Sequence, residues 1–421
     1  MLPGVWGMVT AATYPEVTTG SARPSVVAAP AVRLVSVDML RGIAMVLMAL
    51  DHARDFMTYQ RAIPEDLSHT SGALFFTRVI THFCAPVFCF LAGTGAFLAT
   101  RRGKSLQQVS YFFLTRGLWL VLLELTIVDF AWGFVPWAHG GVLWGLGWSM
   151  VVMALIVRLP VRWIGALGVA MITMHNLLDG ISPAWFGKFS WLWTLLHSPG
   201  RIPVTVSFLF SARYVLIPWV GVMAAGFAFG SLLHRGDRRK WILTLGITAT
   251  ALFFGLRLIN LYGNGIAGPG YARAAGAWSV QPTLTLTVVS FFNTLKYPPS
   301  LDYLLMTLGP ALILLGLLDK AKAQRGLGRI LLVYGRVPLF YYVLHIYLIN
   351  ILAILAARAF HQPALHGSAI ADFAMKPAGY GHGLPFIYAM WTLAVAILYL
   401  PCRWFMEFRS RHRDWTWLSY L

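Results

Sequence analysis

The chain has 421 residues, of which 58% are hydrophobic and 11% are charged, and its mean hydropathy is +0.67. This composition excludes a soluble globular protein and is typical of an integral membrane protein. The net charge of +18 would suit nucleic-acid binding, but the cations are concentrated in alternate loops and are fewer in the others, as the positive-inside rule describes. The charge therefore predicts membrane topology and no nucleic-acid partner.

Apolar segments of about the length that an α-helix needs to cross a bilayer recur along the chain. In lipid every backbone amide must be hydrogen-bonded within the protein, so these segments should be helices packed in one bundle. We predict an all-α polytopic integral membrane protein with about ten transmembrane helices and a polar central chamber. The predicted spans are 35–54, 73–99, 109–129, 141–158, 160–178, 213–234, 241–262, 301–318, 330–358 and 385–408.

Residues 1–32 lack the basic and apolar regions of a cleavable signal peptide, and we predict that they form a flexible cytoplasmic tail. Residues 33–421 then form a single transmembrane domain. Every second loop is rich in cations, and the positive-inside rule places these loops, with both termini, in the cytoplasm. The basic loops lie near 101–104, 158–162, 235–240, 320–329 and 403–413.

Three of the opposite segments are longer than simple turns and lie at about 55–72, 179–212 and 263–300. Each mixes aromatic residues with Gly and Pro. Two interpretations stay open. The segments form an outer lid over the chamber, or their Trp and Tyr side chains anchor the protein at the membrane interface.

The first two spans carry ionisable side chains within otherwise apolar sequence. Such groups cost several kcal/mol each inside a bilayer unless they are paired or line a wet cavity. Two adjacent spans that bear six of them predict a polar chamber inside the bundle. The six residues are Asp38, Arg41, Asp51, His52, Arg78 and His82.

Arg41 and His52 are separated by about 16 Å of helix rise and three turns, so they lie on nearly the same face of the first span. A guanidinium toward the cytoplasm suits a phosphate-bearing donor, and an imidazole at the outer end suits proton abstraction from an acceptor. Asp51, Asp38 or a group from another span could orient that imidazole. Alternatively, Arg41 pairs with Asp38 and extends to the lipid headgroups.

Other ionisable residues fit the same chamber. Arg78 and His82 share one face at the start of the second span, while His345 lies near the middle of the ninth. We expect His82 and His345 either to line the polar site or to be hydrogen-bonded packing histidines. Lys296 either holds an acidic acceptor or anchors at the interface. Nothing in the pattern requires a metal.

The stretch RLVSVDMLRGIAMVLMALDH resembles the opening of the heparan-α-glucosaminide N-acetyltransferase-like family, and the Arg41–His52 spacing resembles the first helix of the acyltransferase-3 family. Further similar blocks are HFCAPVFCFLAG, KYPPSLDYLLMTLGP, YGRVPLFYYVLHIYLI and the C-terminal RWFMEFRSRHRDWTWLSYL. Their order covers the chain from Arg33 onward and is most similar to a bacterial branch of the heparan-type family. The resemblance implies the bacterial cytoplasmic membrane.

The resemblance also implies transfer of an acyl group, chiefly acetyl, from cytoplasmic acetyl-CoA to a glycan or other small acceptor outside. Asp38 and Arg41 match the shared first-helix motif, and His52 matches the acyltransferase-3 histidine. The heparan-type enzymes carry Asn at the place of His52 and a histidine in the following loop, to which His69 would correspond. The expected partners are acyl-CoA, the acceptor and membrane lipid.

We hypothesise that His52, aided by Asp51 or a carboxylate of the third span, deprotonates the acceptor, and that His82 or Arg78 stabilises the thioester oxyanion. A covalent acyl-histidine is the variant. The same chamber would also suit a carrier of a polar solute or lipid-linked sugar, with histidines as proton relays. A non-catalytic scaffold is a third possibility. Release of CoA that depends on Arg41 and His52 distinguishes the enzyme from both.

Overall fold

The protein is described by a computed structural model that covers residues 34–134, 138–205, 209–266, 276–321, 323, 325–365, 373–412 and 414–420. The predicted tail over residues 1–32 lies outside the described residues.

The described part of the chain is built mainly of α-helices, in chain order α1 to α15. Their bounds are Val35–Met57, Gly72–His82, Cys84–Thr100, Leu106–Leu123, Asp129–Gly133, Val142–Ile156, Val161–Met174, Ser190–Leu196, Leu216–Phe229, Arg238–Ile259, Leu284–Phe292, Leu301–Leu318, Gly326–Arg336, Pro338–Ala359 and Leu384–Arg411. A π-helical turn, Glu124–Val128, joins α4 to α5. Short 3-10 turns cover His175–Leu178, Pro183–Phe189, Gly230–His234, Phe373–Met375 and Thr416–Tyr420.

Eight helical segments of the described chain are long and apolar enough to cross a membrane. The helix α1 has 23 residues but carries several charges, and α6 is apolar but has 15 residues. These segments together correspond to the predicted spans, and the prediction of an all-α polytopic membrane protein is confirmed. Large apolar side chains such as Leu118, Leu252 and Leu400 are exposed on the outward helix faces, as expected of surfaces that contact lipid.

Two predicted spans are interrupted. The second is divided at Phe83 into α2 and α3, and the ninth, predicted as one helix over 330–358, is divided at Val337 into α13 and α14. Val337 has φ −129° and ψ 50°, outside the helical region, because the ring of Pro338 disfavours the α conformation of the residue before it. The prediction of one continuous ninth helix was therefore wrong.

The helix α1 lies at the centre of the bundle and packs against α2, α3, α12, α13, α14 and α15. Its crossing with α13 is very close. A methyl group on Gly335 would lie 1.8 Å from the Asp38 carbonyl oxygen, and one on Gly42 would lie 2.0 Å from the Leu331 carbonyl oxygen. Small residues that let backbones approach in this way drive helix association in membranes. Because α1 is central, its ionisable side chains are enclosed by other helices.

The described residues of the loops that follow α1, α5, α7, α10 and α14 meet at one end of the bundle, called here the loop-rich end. The His382 amide donates to the Met57 carbonyl oxygen, and the Asn293 side chain donates to the Glu65 carbonyl oxygen. A three-stranded sheet lies at this end, in the order β1-β3-β2, with β3 parallel to β1 and antiparallel to β2. The strands are His139–Gly140 (β1), Gly200–Pro203 (β2) and Leu209–Ala212 (β3).

Arg257 attaches the long segment after α10 to the bundle. Its side chain is fully buried near the end of α10 and donates to the carbonyl oxygens of Phe291, Ser290 and Asn293 at 2.8–3.0 Å. Backbone carbonyls left open at a helix end need such donors when they are buried. The guanidinium therefore fixes the end of α11 and the residues that lead to Lys296.

Candidate functional site

A cavity of about 170 Å³ opens at the loop-rich end, where α1 ends. Its walls come from α1, α2, the π turn, the start of α6 and the segments around residues 63–65, 213–214 and 294–297. The polar and aromatic lining residues include Asp51, His52, Arg54, Asp55, Glu65, Arg78, Glu124, Trp132, His139, Arg213, Tyr214, Lys296, Tyr297 and Tyr342. Four of the eight site residues predicted from the sequence, Asp51, His52, Arg78 and Lys296, line this one cavity.

Asp51 and Arg78 form the ion pair at the centre of the cavity wall. Nη1 of Arg78 lies 2.8 Å from both carboxylate oxygens of Asp51, the Thr81 hydroxyl donates to Oδ1 at 2.6 Å, and Arg54 Nη2 lies 2.8 Å from the same oxygen. Charge-assisted bonds of this kind are about twice as strong as neutral ones. Asp51 thus holds two guanidiniums at the cavity and is not hydrogen-bonded to His52.

Glu65 is the second anion beside Arg78. Arg78 Nε donates to Glu65 Oε1 at 2.8 Å, and His82 Nε2 lies 3.4 Å from the same oxygen. Burial alone would raise the pKa of Glu65, but Arg78 and His82 outweigh burial and hold it well below its usual range. His82 is buried behind this carboxylate, and its carbonyl oxygen accepts from the Tyr303 hydroxyl. Glu65 was not predicted from the sequence, because it lies in a loop with no local pattern.

His52 is oriented by another imidazole. Its Nδ1 lies 2.8 Å from His345 Nε2, and His345 Nδ1 lies 3.1 Å from the Tyr341 carbonyl oxygen. A carbonyl oxygen only accepts, so in the neutral pair His345 donates through Nδ1 and accepts through Nε2. His52 then donates through Nδ1, and its Nε2 carries a lone pair. The orienting group is therefore on α14, whereas Asp51, Asp38 and the carboxylates of the third span are not hydrogen-bonded to His52.

A second imidazole, His139, lies in the same cavity between two carboxylates. Its Nδ1 is in direct contact with Asp129 Oδ1, its backbone amide donates to Asp129 Oδ2 at 3.1 Å, and its Nε2 lies 3.7 Å from Glu124 Oε1. The π turn between Glu124 and Asp129 widens the helix, so that residues five apart lie on one face. In a regular α-helix these two carboxylates would point in different directions.

His139 was missed by sequence reasoning, although the AHGG run before the fourth span contains a signal. A methyl group on Gly141 would lie 2.0 Å from Glu124 Oε1. Only glycine allows the backbone to approach the carboxylate this closely. A histidine followed by two glycines at the mouth of an apolar span is therefore a pattern to inspect for a buried polar contact.

Lys296 and Tyr297 form the opposite wall. The Lys296 ammonium lies 5.3 Å from the centre of the Tyr297 ring, within the range of a cation–π interaction. Burial would raise the pKa of Tyr297, but the nearby cations, chiefly Lys296 and then Arg78 and Arg213, together with a hydrogen bond to Tyr214, outweigh burial and lower it. This wall therefore presents positive charge to the cavity.

Asp38 and Arg41 lie at the opposite end of α1. Arg41 Nη1 lies 3.6 Å from Asp38 Oδ1, Arg336 Nε lies 3.7 Å from Asp38 Oδ2, and Arg41 Nη2 donates to the Leu91 carbonyl oxygen at 3.0 Å. These two predicted residues are thus not brought into the cavity. The Arg41–Asp38 pair that we considered as the alternative is present.

His69 lies outside the cavity wall. Its side chain is 59% exposed, and its Nδ1 lies 3.0 Å from Asp66 Oδ2. The geometry therefore places His52 and His139, and not His69, at the enclosed site.

The catalytic-domain model of heparan-alpha-glucosaminide N-acetyltransferase matches residues 33–260, which are more than half of the chain. The matched range contains α1 and the residues that bring Arg78, Glu124 and His139 to the cavity. No curated protein matches the chain. With its multi-pass helical bundle and this match, the chain belongs to the heparan-alpha-glucosaminide N-acetyltransferase family, whose family-level activity is acetyl transfer in a membrane.

Proposed function

We propose that the protein transfers the acetyl group of cytoplasmic acetyl-CoA to an amine or hydroxyl of a glycan on the outer side of the bacterial cytoplasmic membrane, and that transfer occurs in the cavity at the loop-rich end. The observation that carries the proposal is the His52–His345–Tyr341 chain, because it directs the lone pair of an enclosed imidazole away from its partners. A general base needs such a lone pair within reach of the proton that it removes.

In this proposal His52 Nε2 takes the proton from the acceptor as the acceptor attacks the acyl carbon. The new bond joins that carbon to the acceptor nitrogen or oxygen, the bond to sulfur breaks, and the proton ends on the CoA thiol. Positive charge stabilises the oxyanion that develops on the acyl oxygen. The Lys296 ammonium supplies that charge together with Arg78, whose Nε and Nη1 are bound to Glu65 and Asp51.

His139 is the second group in this proposal that handles a proton. Asp129 and Glu124 flank its ring, and the Asp129 carboxylate in direct contact with it balances the charge of an imidazolium formed during the reaction, as the aspartate does in a catalytic triad. We assign to His139 a relay of this proton: it receives the proton from His52 and passes it to the departing sulfur, so that both imidazoles end neutral. His82 lies behind Glu65 and is assigned a positioning role.

The residues at the other end of α1 fit the phosphates of acetyl-CoA. Arg116 lies close enough to Arg41 and Arg409 to interact electrostatically with both, and Arg409 donates to the Arg336 carbonyl oxygen at 3.3 Å. Two guanidiniums thus lie within 4 Å of Asp38, and those of Arg116 and Arg409 lie beside this pair. Guanidiniums are the side chains best suited to bind phosphate bidentately. The thioester supplies the activated acyl carbon, and these arginines would hold the nucleotide end.

The orientation in this proposal places the basic loops and both termini in the cytoplasm. The arginine cluster then faces the cytoplasm, where acetyl-CoA is made, and the cavity faces outward. Of the three long segments, residues 63–65 and 294–297 line the cavity, which supports the lid interpretation for two of them.

The first test is binding of acetyl-CoA to the detergent-purified full chain by isothermal titration. We expect Arg41→Ala to weaken binding about 10-fold or more, because one charge-assisted phosphate contact contributes roughly 1.5–3 kcal/mol. Arg403→Ala is the matched control, since Arg403 is an exposed arginine paired with Glu407 on the same basic side. Wild-type protein that is folded and does not bind acetyl-CoA would contradict the proposal.

The second arm measures release of free CoA in the presence of a mixed pool of amino sugars and glycans. His52→Ala should lower the rate by about 10²–10⁴-fold, the usual contribution of a general base, while binding of acetyl-CoA is retained. His234→Ala, an exposed histidine outside the cavity, should leave the rate unchanged. Transport of a polar solute across the membrane without release of CoA would instead favour the hypothesis that the protein is a carrier.

A further inference from the structure

Three potential ligand side chains meet at the loop-rich end, apart from the cavity. His175 begins the 3-10 turn after α7, Asp179 lies four residues later, and His197 follows α8. One ligand atom from each residue can be chosen so that all three atoms lie within 4.8 Å of one another. None of the three lines the catalytic cavity, and the proposed acetyl transfer does not use them.

Burial makes this cluster unusual. His175 is 1% exposed and His197 is 2% exposed. Neither ring nitrogen of His175 has a hydrogen-bond partner of normal geometry, and Nδ1 of His197 has none either. Nearly all buried polar groups are hydrogen-bonded, and an orphaned one costs about 1–3 kcal/mol. The two rings lie 5.7 Å apart, so both of these histidines border the same small volume.

The surrounding residues hold the cluster in place. His197 Nε2 lies 2.9 Å from Asp179 Oδ1, and the Asn176 amide donates to Asp179 Oδ2 at 2.9 Å. The Asn176 amide oxygen in turn accepts from the Leu301 backbone amide. The carbonyl oxygen of Pro299 lies beside the His175 ring. Metal-binding carboxylates are usually hydrogen-bonded, and metal-binding histidines usually face a carbonyl with their second nitrogen.

We propose that His175, Asp179 and His197 bind a divalent zinc ion, with water in a fourth position. Two imidazoles and one carboxylate are typical zinc ligands, and three protein ligands with one water make the usual open tetrahedral site. The edges of such a tetrahedron measure roughly 3.4 Å at normal Zn–N and Zn–O lengths, so small side-chain rotations close the present arrangement around the ion. Binding would give a partner to the ring nitrogen of His175 that does not face the Pro299 carbonyl oxygen.

The bound ion would cross-link separate segments of the fold. His175 follows directly on α7, Asp179 and His197 bound the segment that contains α8, and Asn176 is hydrogen-bonded to the first residue of α12. The residues immediately before α12 include Lys296 and Tyr297 of the cavity wall. Zinc would therefore stabilise the segment that leads to this wall.

The detergent-purified full chain is first treated with a chelator to remove bound metal. It is then titrated with zinc chloride alone. We expect one zinc per chain by isothermal titration and by elemental analysis after dialysis, and we expect bound Co²⁺ to give the intense visible absorption of a tetrahedral site. Zinc should also raise the Tm. His175→Ala and His197→Ala should each weaken binding by about 10²-fold or more, and Asn176→Ala by about 10-fold.

His234→Ala is the matched control and should bind zinc as the wild type does, because His234 is exposed at the other end of the bundle. If a variant fails to fold, the wild-type titration still decides. Folded wild-type chain that takes up no zinc overturns the proposal. Unchanged stoichiometry and affinity in folded His197→Ala would overturn it as well. Neither result depends on acetyltransferase activity.

Discussion

At the scale of single residues, the cavity shows that the chemical role of a buried ionisable side chain depends on the residues to which it is hydrogen-bonded. Asp51 is adjacent to His52 in the sequence, yet its carboxylate holds Arg78 and Arg54, while His52 bonds to His345, 293 positions away. The neighbours of a helical residue in sequence point about 100° away from it, so adjacent residues contact different helices. A residue's chemistry in this bundle is therefore set mainly across helices.

His345 is a positioning residue in the proposed function, since it holds the ring of His52. His345→Ala should lower kcat by about 10²-fold, the effect of a small misplacement of a catalytic group, with little change in KM for acetyl-CoA. His345→Gln should recover part of the loss, because its amide oxygen can accept from His52 Nδ1. Steady-state kinetics of CoA release measure both variants. Equal losses for Ala and Gln, or a change in KM alone, would contradict the role.

The buried amine of Lys376 is hydrogen-bonded to backbone carbonyl oxygens at the end of α1. Its Nζ donates to the Asp55 carbonyl oxygen at 2.7 Å and lies 3.3 Å from the Thr58 carbonyl oxygen. Burial, with a contribution from Arg54, lowers the pKa of Lys376 to about 7 from its usual 10.5. Between these two values the unfolded chain binds more protons than the folded one, so the contribution of Lys376 to stability rises with pH.

We therefore expect the Tm of the wild type to rise relative to the Tm of Lys376→Met as the pH rises from about 7 to 9. Thermal unfolding at a series of pH values measures the difference between the two curves, which removes the contribution of other titrating groups. Lys188→Met, at an exposed lysine, should follow the wild-type curve. Parallel curves for wild type and Lys376→Met would show that the amine does not titrate in this range.

At the scale of helices, two departures from regular α-helix create the site. The π turn brings Glu124 and Asp129 to one face, beside His139. The break at Val337 lets α13 cross α1 at Gly42 and Gly335 while α14 carries His345 to His52. Both departures are single local events in otherwise long apolar helices. Each one redirects a side chain that the cavity uses.

The α1–α13 crossing predicts a strong effect of a small substitution. A methyl group at Gly335 would overlap the Asp38 carbonyl oxygen, and overpacking of this kind typically costs about 1–3 kcal/mol. We expect Gly335→Ala to lower the Tm measured in detergent. Gly255→Ala in α10 is the control, because no atom lies within 4 Å of its added methyl. A Tm for Gly335→Ala equal to that of the control would show that the crossing can relax.

At the scale of the whole molecule, the bundle separates two polar regions. Guanidiniums gather near Asp38 at one end of α1, and the histidine cavity lies at the other. A reaction that takes its donor from one side of a membrane and its acceptor from the other needs such a separation within one central helix. The proposed zinc site would cross-link segments at the loop-rich end, away from the lipid-facing helix surfaces.

Much of this arrangement was predictable from residue patterns. The class, the position of the spans and the presence of a polar site on the first two helices followed from apolar length and from the cost of charge in lipid, which are local properties. Asp51, His52, Arg78 and Lys296 do line one cavity. The helix break at Val337 could also have been predicted, because Pro338 is visible in the sequence.

The pairing of groups was decided only by the tertiary structure. His52 with His345, His139 with Asp129, and His175 with His197 join residues from different helices or loops. Hydrophobic periodicity specifies which face of a helix is buried, but not which helix covers it or at what height. By itself the sequence determined that polar side chains are buried in a membrane bundle. Packing at close glycine contacts determined their partners, and therefore the chemistry that they can perform.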